Sequence, residues 1–306
     1  MKMIDLPEII TQEIVLKNSS VRLFVRREDL IHPFVSGNKF RKLRYNLIEA
    51  KQQKYSKLLT FGGAYSNHIA AVAYAGKLNG FETIGVIRGD ELEANWANNP
   101  TLQFANLCGM QFEFVSREAY RNKTDDLFLE GLKLKFDDFY SIPEGGTNDL
   151  AVKGCKEILT ELDNEFEYVC VSVGTGGTIS GIINGSFDGQ KIIGFPALKG
   201  DFLIKDICNF AKKDNWSLNL DYHFGGYGKV TPELILFINS FFEENNIPLD
   251  PIYTGKMVYG VMDLIEKDFF EKGSKILLIH TGGLQGIEGM NKELERKKQI
   301  KIRIND

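Results

Sequence analysis

The chain is poor in the residues that would mark several common protein classes. Its four cysteines, Cys108, Cys155, Cys170 and Cys208, are scattered, with no CxxC pair. That spacing excludes a disulfide framework or a zinc ribbon and predicts reduced, mostly buried thiols in a cytoplasmic protein. The four histidines, His32, His68, His223 and His280, have no metal-ligand spacing either, so a metalloenzyme is not expected. No apolar run approaches the roughly 18–20 residues of a membrane span. The start, "MKMIDLPEII", has no apolar stretch and carries Asp5 and Glu8, which does not read as a signal peptide. A basic excess is also missing: net charge is −4 and the pI about 5.7, which argues against a general nucleic-acid binder. There is no repeat and no Pro/Ser-rich linker.

What remains is an ordinary soluble composition, 43% hydrophobic and 25% charged, in a chain of 306 residues. That length suits one large or two ordinary domains with a buried core. Apolar β-rich runs, "LLTFGG" (58–63), "TIGVI" (83–87), "FEFV" (112–115), "YVCVSVG" (168–174), "KIIGF" (191–195) and "KILLIHTGG" (275–283), alternate with helix-like stretches. The latter include Asn67–Asn79, Pro100–Gly109, Leu150–Leu162 and Pro232–Asn245. This alternation predicts an α/β protein of right-handed βαβ units, with open, twisted, mostly parallel sheets and helices on both faces. The tail "QIKIRI" alternates with period two and predicts a last edge strand.

Several strands run into glycine clusters, and in open α/β sheets ligands sit at such strand ends. "YVCVSVGTGGTISGIING" reads as strand, glycine turn and helix start. Gly174, Gly176 and Gly177 allow close backbone approach, Thr175 and Thr178 offer hydroxyls, and the following helix N-terminus suits a phosphate. The dinucleotide fingerprint is absent, because Ile179 stands where its last glycine would fall, and no Walker lysine follows. The cradle therefore suits one phosphate better than a pyrophosphate; the alternative is a tight turn with no ligand.

"VSGNKFRKL" (35–43) raises a different question. Gly37 and Asn38 precede a helix-like stretch that puts Lys39 and Lys42 on one face. Two like charges there repel unless an anion lies beside them, and a desolvated lysine next to a second cation has a lowered pKa and becomes a usable amine. Spacing alone favours a solvated basic face. In "TFGGAYSNH" (60–68), Ser66, Asn67 and His68 open an alanine-rich helix. They serve equally as an N-cap and a packed histidine, or as a carboxylate site at a helix N-terminus.

Taken in order, "REDL…SGNKFRKL", "TFGGAYSNH", "IPEGGTN", "VGTGGTISG", "GGYG", "DPIYTGK" and "IHTGG" resemble the pyridoxal-phosphate (PLP) enzymes of the tryptophan-synthase-β fold type. Within that group the chain looks like the branch holding D-cysteine desulfhydrases and 1-aminocyclopropane-1-carboxylate (ACC) deaminases. The resemblance implies a larger PLP domain from residues 1–48 and 151–306 and a smaller domain from 49–150, with the cofactor between them in a homodimer. It implies that Lys39 forms the Schiff base, that Lys42 lies near the phosphate, and that Gly174–Thr178 cradle it. Asn67 would meet the cofactor's 3-oxygen, and Ser66, Asn67 and His68 the substrate carboxylate. Tyr227 and Tyr253 would face the reacting atoms as proton carriers, and Thr254 or Thr281 the pyridine nitrogen.

Three positions favour the desulfhydrase side: His68 where ACC deaminases carry Gln, Thr254 where they carry Glu, and Thr281 where they carry Leu. Hydroxyls at the latter two cannot hold the ring nitrogen charged as a carboxylate does. The weaker electron sink suits β-elimination better than opening a cyclopropane. The chain departs from the branch at Ser36–Gly37, Ala70 and Glu144, and it is somewhat short. The expected reaction converts a small amino acid, D-cysteine first, to pyruvate, hydrogen sulfide and ammonia. ACC deamination, elimination from another amino acid and a catalytically idle PLP-binding protein are the alternatives.

Overall fold

A computed structural model describes residues 6–17, 19–200 and 203–304. Ten strands form two sheets: β1 (Thr11–Ile14), β2 (Arg22–Arg26), β3 (Lys57–Gly62), β4 (Glu82–Arg88), β5 (Met110–Val115), β6 (Tyr140–Ile142), β7 (Tyr168–Val173), β8 (Lys191–Pro196), β9 (Trp216–Leu218) and β10 (Lys275–Ile279). The six-stranded sheet runs β1-β2-β10-β7-β8-β9, parallel except for β1, which pairs with β2 antiparallel. The four-stranded sheet runs β5-β4-β3-β6 and is wholly parallel. The sequence placed strands inside six of these ten. It missed β1, β2, β6 and β9, of which β6 and β9 have only three residues each.

Every residue of β7 is buried, and the strand sits third from the β9 edge with neighbours on both sides, as its unbroken apolar run requires. The helices are α1 (Asn38–Gln52), α2 (Asn67–Asn79), α3 (Pro100–Leu107), α4 (Asp126–Phe136), α5 (Asp149–Lys156), α6 (Gly177–Gly185), α7 (Leu203–Cys208), α8 (Pro232–Asn245), α9 (Thr254–Glu266) and α10 (Gly286–Arg296). Local capping sets several starts. Ser66 Oγ accepts from Ile69 N at 3.3 Å, Asn99 Oδ1 from Leu102 N at 3.0 Å, and Thr231 Oγ1 from Leu234 N at 3.2 Å. Among the described residues no helix is long and apolar enough to cross a membrane.

Two expectations are corrected. The tail 299–304 is not a strand. Side-chain amides from two helices take its backbone groups instead. Asn291 brackets Ile302, and Asn239 accepts from Arg303 N and donates to the Lys301 carbonyl, all at 2.8–3.0 Å. The thiols are not mostly buried: Cys155 and Cys170 are, but Cys108 is half-buried and Cys208 exposed.

The segment before α1 is pinned by buried ions. Arg41 grips Glu28 with two hydrogen bonds of 2.8 and 2.9 Å and reaches the Glu157 carbonyl at 3.2 Å. Arg27 pairs with Asp29 at 2.8 Å. Gly37 then turns the chain with φ +60°, so close to the last sheet loop that a Cβ would stand 2.0 Å from the Thr281 carbonyl oxygen. Asn38 N donates to that same oxygen at 3.2 Å. The start of α1 is thereby fixed against the end of β10.

The Glu28 carboxylate is fully buried, so losing its partner is costly. Arg41→Met is expected to destabilise the protein by about 3–5 kcal/mol in urea unfolding, with Arg41→Met/Glu28→Met recovering most of that loss.

Candidate functional site

The C-terminal ends of β2, β7 and β10 from one sheet, and of β3, β4 and β6 from the other, feed loops into one cleft of about 330 Å³. Lys39, Lys42, Ser66, Asn67, His68, Gly174, Thr175, Gly176, Thr178, Tyr227, Tyr253 and Thr281 all line it. Residues from distant parts of the sequence thus meet where the strand ends predicted a ligand.

Lys39 lies one residue into α1, its Nζ 3.0 Å from Asn38 Oδ1. Burial, reinforced by the charge of Lys42, lowers its pKa to about 7. Lys42 is 2% exposed, and burial lowers it to about 8. Its Nζ donates to the Gly145 carbonyl (2.9 Å), Thr147 Oγ1 (3.1 Å) and Thr175 Oγ1 (3.4 Å). Neither amine has a carboxylate within ion-pair distance among the described residues. The solvated basic face favoured by spacing is not what forms: Arg41 is spent on Glu28, and both lysines are desolvated.

The glycine turn after β7 leads into α6, whose N-cap is Gly176 at φ +81° with no side-chain cap. Its first N–H groups lack helical partners by geometry. Asn38 Nδ2 ties the turn to α1 through Thr178 Oγ1 at 2.9 Å. Gly177 lies just behind the lining, where a Cβ would fall 2.7 Å from Thr147 Oγ1 and 3.2 Å from Lys42 Nζ.

Opposite, Ser66 caps α2, which leaves its hydroxyl proton free to donate. His68 is buried and touches Thr60 Oγ1 through Nε2 at 2.8 Å. Thr60 has one hydroxyl proton, and the Ile142 carbonyl at 2.9 Å can only accept it. The Pro143 carbonyl is a second acceptor beside the ring, so Thr60 and Pro143 between them take up its single N–H. Burial, with Lys39 and Lys42 nearby, holds His68 well below the usual histidine range, so it is neutral. A carboxylate at this helix end can be met by the Ser66 hydroxyl and the first-turn N–H groups.

Tyr253 packs over Gly174, its ring 3.1 Å from where a Cβ would stand, and meets Tyr227 edge-on with centroids 6.2 Å apart. Burial, aided by Tyr227, pushes Tyr253 well above the usual phenol range, and burial also raises Tyr227. Both are protonated at neutral pH. The Tyr227 loop is held by Lys256, whose Nζ donates to the carbonyls of His223 (2.8 Å) and Gly226 (2.9 Å).

Thr281 Oγ1 lies 3.1 Å from Ser172 Oγ on the cleft floor. Thr254 is outside the lining and fully buried. Its hydroxyl donates to Asp250 Oδ2 (2.7 Å) and accepts from Asp250 N (2.9 Å). Asp250 also takes N–H bonds from Ile252, Tyr253 and Thr254, which sets the entry to α9 and the place of Tyr253.

Sequence reading did not assign a role to Asn38, Thr147, Ser172, Asp250 or Lys256, although all sit inside the quoted stretches. It also passed over Arg88, the charged residue that ends a parallel strand.

The chain belongs to the family described as "Pyridoxal-phosphate dependent enzyme", which matches residues 7–282. It is 32% identical over 283 residues to a putative 1-aminocyclopropane-1-carboxylate deaminase of Pyrococcus horikoshii, covering 86% of this chain and 85% of the relative. It is 31% identical over 298 residues to the bifunctional D-cysteine desulfhydrase/1-aminocyclopropane-1-carboxylate deaminase, mitochondrial, of Arabidopsis thaliana, covering 88% and 74%. A solved ACC deaminase homologue superposes with TM-score 0.80 at 29% identity, over 94% of this chain and 93% of that one.

The cleft fits the family's cofactor. A buried polar atom, Asn67 Oδ1, has no partner within the protein. The α6 turn offers uncapped N–H groups beside Lys42, which matches a phosphate.

The reactivity of Lys39 tests this electrostatic picture without any catalytic assumption. Its reaction with pyridoxal, which lacks the phosphate, is expected to rise with pH through a midpoint of about 7. Lys42→Met removes a like charge, so the midpoint is expected to move up.

Proposed function

We propose that the protein is a PLP-dependent lyase that carries out α,β-elimination on a small amino acid, D-cysteine first, giving pyruvate, hydrogen sulfide and ammonia. The observation that carries this reading is the setting of Lys39. A desolvated, part-buried amine with a pKa lowered to about 7 stands among an uncapped glycine turn, the N-terminal end of α2 and two phenols raised above their usual range. When bound, PLP supplies an electron sink conjugated to the substrate α-carbon.

In this reading Lys39 attaches the cofactor and, once free, takes the α-proton, which needs the neutral amine that its lowered pKa provides. Lys42, Gly174–Thr178 and Thr147 hold the phosphate. Asn67 meets the cofactor's 3-oxygen with its amide N–H as donor. Ser66 and the first-turn N–H groups of α2 hold the substrate carboxylate, and His68 shapes that end as a neutral ring. Tyr253, with Tyr227 beside it, gives a proton to the departing thiolate. Ser172 and Thr281 present hydroxyls, not a carboxylate, at the floor; among the described residues Glu144 is the only acid lining the cleft. That absence favours elimination over ring opening. A homodimeric, cytoplasmic enzyme belongs to the same reading and rests on the family resemblance.

The names of the relatives favour ACC deamination as the second reading. One assay separates them: purified, PLP-loaded protein is given D-cysteine, L-cysteine, D-serine and ACC, and pyruvate, sulfide and 2-oxobutyrate are followed. Pyruvate with sulfide from D-cysteine is expected. 2-Oxobutyrate from ACC would replace the reading by the second. Tyr253→Phe is expected to lower kcat for elimination by about 10²–10⁴-fold with a small change in KM, the size of a lost proton donor. An unchanged kcat would remove Tyr253 from the proton path.

A further inference from the structure

We propose that the mouth of the cleft is a subsite for a second anionic group on the substrate, held by Arg88. The proposal deepens the amino-acid reading above and rests on it. The favoured substrate class is an amino acid whose β-thioether substituent ends in a carboxylate.

Arg88 closes β4 at the C-terminal end of a parallel strand and lines the cleft. Its Nη2 lies 3.7 Å from where a Cβ would stand on Gly63, in the loop that leads to the Ser66 carboxylate site. Its guanidinium carbon rests 5.7 Å from the Tyr120 ring centroid, which braces the side chain. Tyr227 lies across the mouth, where Arg88 and Glu144 act on its phenol in opposite directions.

The charges decide what Arg88 is for. Three cations line the cleft: Lys39, Lys42 and Arg88. Lys39 and Lys42 serve the cofactor, and the α-carboxylate goes to the α2 N-terminus. Glu144 is taken by Lys123 at 3.3 Å. The exposed Arg88 side chain makes no hydrogen bond and no ion pair among the described residues, so an arginine fork with a carboxylate's geometry is left free at the mouth.

With S-carboxymethylcysteine the chemistry balances. The Cβ–S bond breaks, the α-proton is removed, and the sulfur leaves with the electron pair and takes a proton. One water then converts the three-carbon fragment to pyruvate and ammonium, with mercaptoacetate as the thiol product and no redox change.

Binding to the PLP-loaded enzyme tests this apart from turnover. Glutamate and glutamine, and aspartate and asparagine, in both enantiomers, differ only in the distal charge and lack a thiol leaving group. At least one acid is expected to bind about fivefold to tenfold more tightly than its amide, the range for an arginine–carboxylate contact at a partly open site. Arg88→Gln is expected to bring that ratio to one, and Arg88→Lys to retain part of it.

Equal binding of acid and amide by the unaltered enzyme overturns the proposal, as does no binding of any of them. A ratio that survives Arg88→Gln overturns it too. So does an Arg88→Gln variant that weakens alanine as much as glutamate, since Arg88 would then hold the α-carboxylate. An acid preference lost in Arg88→Gln, with no pyruvate from any substrate, upholds the subsite and defeats only the elimination reading.

Discussion

Two lysines share one cleft, neither with a carboxylate at ion-pair distance among the described residues, and the site is organised around that conflict. Burial disfavours both ammonium forms, and each lysine's charge makes the other's harder to keep. Lys42 is held by a carbonyl and two hydroxyls, none of which carries a charge. Lys39 has only the Asn38 amide. Such an arrangement is unfavourable by itself; in the proposed reading it would be relieved by an anionic group beside Lys42 and by attachment of the cofactor at Lys39. The fold carries the cost through rigid surroundings. The Glu28–Arg41 pair and the Gly37 turn fix the start of α1, so neither lysine can swing out to water with its backbone.

Around that pair, the neighbouring groups are held in defined protonation states. Burial beside Lys39 and Lys42 holds His68 as a neutral ring. Two tyrosines stay protonated: desolvation raises both phenols, Tyr253 the more strongly, while Tyr227 remains half-exposed at the mouth. Asp250 satisfies its charge within its own turn and sets Tyr253 through the backbone. Thr254 belongs to that turn, so its contribution reaches the cleft through Asp250 and the entry of α9, whereas Ser172 and Thr281 meet the cleft directly. In the proposed reading, acid–base work would divide along the cleft: a neutral base at Lys39, proton donors at the tyrosines and neutral hydroxyls on the floor.

The sequence made the middle strands legible because β3, β4, β7, β8 and β10 are apolar runs bounded by glycine, and burial on both faces needs nothing else. The short strands β6 and β9 carry too few residues for a pattern. The tail "QIKIRI" has a strand's alternation but gets its backbone partners from Asn239 and Asn291, which lie 11 to 64 residues away and leave no local signal. The same divide holds at the site. The cradle was readable as glycine-turn chemistry. Lys39 was not, because its spacing equally fits a solvated helix face; only the order of several motifs singled it out. The neutral state of His68 depends on burial beside Lys39 and Lys42, and the spare charge of Arg88 on Lys123 taking Glu144. Those facts exist only once both sheets are folded together.

The claim on which the account turns is that Lys39, not another desolvated lysine, is the amine that captures the cofactor. Lys42 and Lys256 are also buried, with pKa values lowered to about 8, so the alternatives are real. Borohydride reduction of the PLP-loaded protein, followed by peptide mapping, tests this directly. The account predicts a single pyridoxyl adduct on the peptide containing Lys39. An adduct on Lys42 or Lys256, or none at all, would contradict it.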